Sequence, residues 1–289
     1  MLFKNKVVVI SGANQGLGLY LSKKFYLDGA TLFLCSRNYN LLNKEISKFN
    51  KQTNKIYTYK VDVSDNNQTK SFIKKCINKV GKIDILISNA GIYGPIGECD
   101  KVSKLAWKKA IDINLFGSFN LISNTIPYMK KKKFGKIIQL SGGGATSPLP
   151  NFSSYAASKA AVVRLCETIA EELKKHKIDV NCIAPGPLNT RLLNKVLTAG
   201  PKKTGNKFFQ KSLKQKNDGG ASMEKTLKLI YFLVSKEANG ITGKLISSLW
   251  DNYELSTKNK KNKNQFSCSD IFTLRRIIGK DREMSIFDV

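Results

Sequence analysis

Residues 6–11, Lys-Val-Val-Val-Ile-Ser, form an unbroken apolar run. They lead directly into Gly12-Ala13-Asn14-Gln15-Gly16-Leu17-Gly18 and then into a segment with helical spacing over 16–28. An apolar run without alternation suits a strand buried on both faces, the usual condition of a parallel sheet. Such a strand needs helices above and below it, and parallel neighbours need long crossovers. The chain supplies both in turn. Strand-like segments at 31–36, 55–61, 83–88, 136–141, 178–184 and 244–249 alternate with helical ones at 40–49, 66–80, 103–129, 155–176 and 223–235. This alternation predicts right-handed βαβ units and an α/β, Rossmann-type doubly wound parallel sheet of about seven strands, with helices on both faces.

The 289 residues, 42% of them hydrophobic, suffice for one large core, so residues 1–255 are read as a single domain. Residues 191–222 break the rhythm; long, basic and glycine-bearing, they read as a substrate lid. Residues 256–267 are polar and rich in lysine and asparagine, and read as a linker. Residues 268–289 regain apolar side chains (Ile271, Phe272, Leu274, Ile277, Ile278) and are expected to dock on the domain. The 6 cysteines are scattered with no Cys-x-x-Cys, which suits reduced thiols in a cytoplasmic protein. With one histidine, His176, and no Cys/His cluster, no metal site is expected. No apolar stretch approaches the ~18 residues of a spanning helix, and the start lacks a signal-peptide core, so no membrane association is expected. The net charge of +28 is mostly lysine. A solvated lysine surface and an acidic substrate or partner are both compatible with it. Nucleic acid is disfavoured, because no recognition motif or aromatic interleaving accompanies the charge.

Two patterns carry chemistry. The glycine loop between the first strand and the first helix permits a tight turn and close backbone approach. The helix N-terminus behind it offers N–H groups to phosphates. The second is Tyr155-Ala156-Ala157-Ser158-Lys159. Residues four apart share a helix face, so Lys159 is expected to lie beside the Tyr155 phenol, lower its pKa and let it trade a proton near neutral pH. Alone, Tyr-x-x-x-Lys is common by chance.

Together, Gly-x-x-x-Gly-x-Gly and Tyr-x-x-x-Lys resemble the short-chain dehydrogenase/reductase superfamily, in its compact single-domain branch. Ser88-Asn89-Ala90-Gly91, Asp62-Val63, Asn114 within Asp112-Ile113-Asn114-Leu115-Phe116-Gly117, and Pro185-Gly186-Pro187-Leu188-Asn189-Thr190 match further segments in the right order, over roughly residues 5–250. The resemblance implies a nicotinamide dinucleotide held by Gly12, Asn14, Gln15, Gly16, Leu17 and Gly18. It places Asp62 and Val63 at the adenine, Asn89, Ala90 and Gly91 beside the cofactor, and Pro185, Gly186 and Thr190 at the carboxamide. Tyr155 would be the acid/base, Lys159 would tune it and bind the ribose, and Asn114 would anchor a proton relay. One member departs from the pattern. The helper serine usually precedes the tyrosine by thirteen positions, where this chain has Gly142. Ser141 is taken as the helper, with a one-residue insertion in 145–154; on the other reading Ser141 merely ends the strand, and the hydroxyl comes from elsewhere, such as Ser153, or is missing.

After the second strand stands Leu34-Cys35-Ser36-Arg37-Asn38, with no carboxylate for a ribose 2′-hydroxyl. Arg37 suits a 2′-phosphate instead, so NADP(H) is expected over NAD(H); a solvated arginine is the other reading. The expected function is hydride transfer between the nicotinamide and a small-molecule carbonyl or secondary alcohol. The lid's Lys202, Lys203, Lys207, Lys211, Lys214 and Lys216, with Phe208 and Phe209, suit an anionic substrate or simply a solvated loop. Lys130-Lys131-Lys132-Lys133 resembles the docking surface of 3-oxoacyl-carrier-protein reductases, yet 241–251 lacks their Asp-Gly-Gly. Such a reductase, and a non-catalytic dinucleotide-binding protein, are the alternatives. The small-residue side of the Tyr155 helix (Ala156, Ala157, Ala160, Ala161) and the resemblance imply a homodimer or homotetramer.

Overall fold

The computed structural model describes residues 1–49, 54–253 and 272–274. Its elements run β1 (Val7–Ser11), α1 (Gly16–Leu27), β2 (Thr31–Ser36), α2 (Tyr39–Ile46), β3 (Ile56–Lys60), α3 (Asn66–Val80), β4 (Ile85–Ser88), α4 (Lys104–Ile111), α5 (Gly117–Lys132), β5 (Gly135–Leu140), α6 (Ser153–Leu173), β6 (Ile178–Ala184), α7 (Arg191–Thr204), α8 (Asn206–Asn217), α9 (Met223–Val234) and β7 (Leu245–Ser247). The strands form one 7-stranded sheet in the order β3-β2-β1-β4-β5-β6-β7, with every neighbouring pair parallel. The expected doubly wound α/β sheet is therefore the one observed.

The apolar run of β1 explains the layering. Alternate side chains of a strand point to opposite faces. Val8 and Ile10 join a core with Leu17, Leu21 and Phe25 of α1 and Leu229, Ile230 and Leu233 of α9. Val7 and Val9 face the other way, into a core with Phe72 and Ile73 of α3, Leu121 and Ile122 of α5, and Val163 and Cys166 of α6. Between β1 and β4 the order of strands reverses, so the loops leaving those two strands diverge and open a crevice at their C-terminal ends.

Two expectations are corrected. The long helix expected over 103–129 is α4 and α5 joined by a wide π-turn, Asp112–Phe116, and α5 continues to Lys132. The wider turn carries Asn114 into the interior, where it is fully buried. Residues 191–222 are not irregular either. Arg191–Thr204 and Asn206–Asn217 are helical; positive φ at Gly200 (φ 74) kinks the first of them, and Gly205 (φ 81) separates the two. Those glycines and Pro201 interrupt the periodicity that would have announced the helices.

The expected linker at 256–267 and most of the tail lie outside the described residues. Within the tail, Phe272–Leu274 touch the body: the Leu245 N–H donates to the Phe272 carbonyl, and the Leu274 N–H to Glu167 Oε1, each at 2.6 Å. Among the described residues no helix is long and apolar enough to cross a membrane.

At the N-terminal ends of β5 and β6, away from the crevice, Lys136 Nζ meets Asp179 Oδ2 at 2.7 Å, with the side chains 2% and 11% exposed. The Gly240 N–H also donates to that carboxylate oxygen, at 3.2 Å. Breaking one half of such a pair strands a buried charge, which costs about 3–5 kcal/mol. Lys136→Met is therefore expected to lower the thermal midpoint by roughly 10 °C. A midpoint within about two degrees of wild type would mean that the pair carries no net stability.

Candidate active site

The glycine loop is built for close approach. Gly12 has φ +63, and a Cβ there would stand 3.0 Å from Ala90 Cα. A Cβ on Gly18 would stand 2.4 Å from the Gly12 carbonyl oxygen, so only glycine fits at the first turn of α1. The loop is tied to the end of β4. Ser11 Oγ accepts from the N–H groups of Asn89 and Ala90 at 3.0 and 3.1 Å, and Asn89 Nδ2 donates to the Ser11 and Gly12 carbonyls at 2.9 and 3.2 Å. Asn89 is thus a brace for the loop. Asn38, Asp65, Ser103, Thr190 and Ser222 cap α2, α3, α4, α7 and α9 with side-chain acceptors, whereas Gln15 caps α1 with none. A side-chain-free cradle at a helix N-terminus fits the pyrophosphate of a dinucleotide. Asn14 is buried within the loop, Leu17 in the core behind it. Thr190 closes the loop from above: its Cγ2 lies 3.3 Å from where a Gly16 Cβ would be. Pro185 and Gly186 (φ +78) lead from β6 towards it.

Tyr155 and Lys159 lie one turn apart on α6, both buried. Lys159 Nζ donates to the Leu140 carbonyl at 2.8 Å and sits 5.6 Å from the centre of the Tyr155 ring. Asn114 joins them. Its amide accepts from Ile92 N–H at 2.8 Å and donates to the Ile92 carbonyl at 2.8 Å and Ser158 Oγ at 2.9 Å. A Cβ on Gly91 would sit 3.3 Å from Asn114 Oδ1 and 3.6 Å from Lys159 Nζ, so Gly91 lies where the two side chains meet.

The electrostatics correct the sequence expectation. The Tyr155 phenol is not pulled down; burial pushes its pKa well above the ordinary tyrosine value, and nearby Tyr93 adds to the shift. The ammonium of Lys159 is itself pushed down to about 8 by burial. Loss of water dominates both shifts, because both groups sit in the interior.

The serine question also receives a geometric answer. Ser141 Oγ points to the Lys159 carbonyl, at 3.5 Å, and Ser153 Oγ accepts from Trp107 Nε1 at 3.0 Å. Gly142 is the residue facing the phenol: a Cβ there would stand 2.6 Å from Tyr155 Oη. The structure does not bring the Ser141 hydroxyl to the phenol.

Arg37 stands exposed after β2, its Nη1 3.9 Å from Asp62 Oδ2. Asp62 also accepts from Ser64 N–H and Oγ at 3.0 and 2.6 Å, and Val63 is buried against Gly117. Arg37, Asn38, Tyr39, Asn40 and Lys60 line an open cleft of about 620 Å³. Lys60 escaped the sequence reading. Its signal was register: it pairs with Ser36 across β2 and β3, which puts it beside Arg37. Tyr93 escaped as well. Its ring meets the Tyr155 ring edge-on at 4.6 Å, and with Phe152, Val196 and Phe208 it forms an apolar wall around the phenol. Five residues downstream of Ser88 in a loop, it carried no periodic signal.

Comparison with known proteins agrees with this geometry. A family model described as short chain dehydrogenase matches residues 6–199. The chain is 30% identical over 246 residues to the 3-oxoacyl-(acyl-carrier-protein) reductase FabG of Thermotoga maritima, covering 85% of this chain and 97% of that protein. It is 26% identical over 243 residues to dehydrogenase/reductase SDR family member 4 of Sus scrofa, covering 84% and 85%. The solved structure of a 3-ketoacyl-(acyl-carrier-protein) reductase from Brucella melitensis complexed with NADH superimposes with a TM-score of 0.74 at 25% identity, covering 86% of this chain and 97% of that chain.

The depressed Lys159 value has a measurable consequence. Between about 8 and the ordinary lysine value near ~10.4, the unfolded chain keeps the proton that the folded chain has released. Stability therefore rises with pH across that window, and the cost of burying the charge is largest below about 8. Lys159→Met removes this dependence. In denaturant unfolding, its stability relative to wild type is expected to be about 2 kcal/mol more favourable at pH 7 than at pH 9.5. An equal difference at both pH values would show that Lys159 titrates as an ordinary lysine.

Proposed function

This chain belongs to the short chain dehydrogenase family, whose members act between CH–OH and C=O groups with NAD(P), and from that premise we propose an NADP(H)-dependent carbonyl reductase with Tyr155 as its acid. The observation that carries the reading is the convergence of Tyr155, Lys159 and Asn114 beside Gly91, at the strand ends where the glycine loop also opens.

The dinucleotide supplies the hydride. The chain holds it through the cradle of Gly12, Gly16 and Gly18 and positions it with Asn89, Ala90, Gly91 and the Pro185–Thr190 segment. Tyr155 gives its phenolic proton to the carbonyl oxygen as that oxygen gains negative charge. Burial keeps the phenol protonated, which is the form a proton donor needs. Lys159, charged below about pH 8, places a cation beside that oxygen. Asn114 orients α6 through Ser158, whose hydroxyl in turn donates to the Tyr155 carbonyl at 2.8 Å. Gly142 leaves room for the substrate oxygen against the phenol. Ser141 is proposed to assist Tyr155 by turning its side chain away from the Lys159 carbonyl, a 3.5 Å contact long for a hydroxyl, since in the present arrangement Gly142 is the residue that faces the phenol.

Arg37 and Lys60 on one cleft, with no acid on β2 itself, support a 2′-phosphate and hence NADP(H). The NADH in the Brucella melitensis structure keeps NAD(H) open as a second cofactor. Free thiols at Cys35, Cys76, Cys99, Cys166 and Cys182 suit the cytoplasm. Exposed Leu105, Phe116 and Phe119 around α4 and α5 suit a homodimer or homotetramer. A carrier-protein reductase is the second reading, supported by the likeness to FabG.

Tyr155→Phe is expected to lower NADPH-dependent carbonyl reduction by about 10²- to 10⁴-fold while NADPH still binds; turnover at the wild-type rate would remove Tyr155 from the mechanism. Binding without turnover in the wild type, over a broad carbonyl panel, would favour a non-catalytic dinucleotide protein. Arg37→Ala is expected to reduce the preference for NADPH over NADH by roughly tenfold or more. An unchanged preference would exclude Arg37 as its source.

A further inference from the structure

A second cleft, of about 530 Å³, lies between the loop after β4 and the helix α7. Gly94 and Ile96 form one wall; Arg191, Asn194, Lys195, Thr198, Ala199 and Lys203 form the other. Arg191, Lys195 and Ala199 recur every four residues, which is one face of a helix, and Lys203, beyond the non-helical Gly200, lines the same cleft. The opposite face is anchored: Leu193 and Val196 are buried, and Val196 packs with Phe152 and Tyr155. The packing that surrounds the phenol therefore also turns the cationic face of α7 towards the cleft.

That face has no counter-charge. No carboxylate lines the cleft, and among the described residues Arg191, Lys195 and Lys203 form no ion pair. Lys195 is half-buried, and its ammonium is pushed down by burial and by the like charges of Arg191 and Arg37. The cations also have two ends. Arg191 follows Thr190, which touches the glycine loop, so it belongs with the dinucleotide's phosphates. Lys203 lies twelve residues on, beyond the break at Gly200, and lines the far part of α7's share of the cleft. Of the lid lysines, Lys202, Lys207, Lys211, Lys214 and Lys216 do not line the cleft.

Resting on the reductase reading above, we propose that Lys195 and Lys203 bind an acidic group of the substrate, so that the compound reduced is a carbonyl bearing a carboxylate or phosphate beyond the reacting carbon. The apolar wall of Tyr93, Phe152 and Phe208 takes the part near the carbonyl, and α7 takes the anionic end.

The test uses a matched pair, 4-formylbenzoate and its methyl ester, with NADPH as the reductant. Wild type is expected to favour the acid by at least tenfold in kcat/KM, less so at high salt. In Lys203→Gln the acid-to-ester ratio falls about tenfold, and in Lys195→Gln by a similar factor. Equal turnover of acid and ester by wild type, or equal losses on both in the variants, would overturn the proposal. So would a raised KM for NADPH with an unchanged ratio, since the anion would then be the cofactor's phosphate. Failure to reduce either aldehyde while NADPH binds would count against the reductase reading instead. Calorimetric titration of the NADPH-loaded protein with terephthalate and with its dimethyl ester then tests the anion site by itself. Preference for terephthalate, lost in Lys203→Gln, supports the site; no preference rules it out.

Discussion

The ends of β1 and β4 are held against each other by one serine and one asparagine, and the candidate site depends on that brace. Ser11 Oγ takes the N–H groups of Asn89 and Ala90, while Asn89 returns its amide to the Ser11 and Gly12 carbonyls. Backbone packed this tightly leaves no space for side chains at Gly12 or Gly18. The bare N-terminus of α1 is the direct result, and so is the position of Gly91, next to the meeting point of Asn114 and Lys159. One constraint thus positions both the proposed phosphate cradle and the proposed proton-transfer group.

The second theme is the contest between charge and burial. A lysine four residues from a tyrosine argues for a lowered phenol pKa. In the folded chain the interior wins: the phenol is held protonated, and the ammonium gives up part of its basicity. The same contest appears on α7, where Lys195 faces other cations without an acid. At Lys159 the cation sits where water is scarce, which costs stability unless a developing oxyanion offsets it; on α7 the cations are partly solvated, and the cost there is partial burial and mutual repulsion.

Much of this was legible in the sequence, for definable reasons. The strands of β1, β2 and β4 announced themselves because their side chains are buried on both faces, which demands continuous apolar runs. The glycine loop was legible because its geometry forbids other residues. The π-turn at Asp112–Phe116 was not, since widening a helix by one residue leaves the helical spacing nearly intact. The helices α7 and α8 were hidden by Gly200, Gly205 and a cover of lysine. Lys60 and Tyr93 were missed because strand register and ring packing are set by tertiary contacts. The spacing rule pointed at Gly142, and Ser141 was taken in its place on a one-residue insertion; in the fold Gly142 is the residue that faces the phenol.

One crevice is proposed to hold a nicotinamide dinucleotide with its reactive ring at Tyr155. A crystal structure of the protein with NADPH is the decisive measurement. The pyrophosphate is expected within hydrogen-bond distance of the backbone N–H groups that open α1, the 2′-phosphate at Arg37 and the nicotinamide ring beside Tyr155 and Lys159. A dinucleotide seated elsewhere, or one whose nicotinamide lies away from Tyr155, would contradict it.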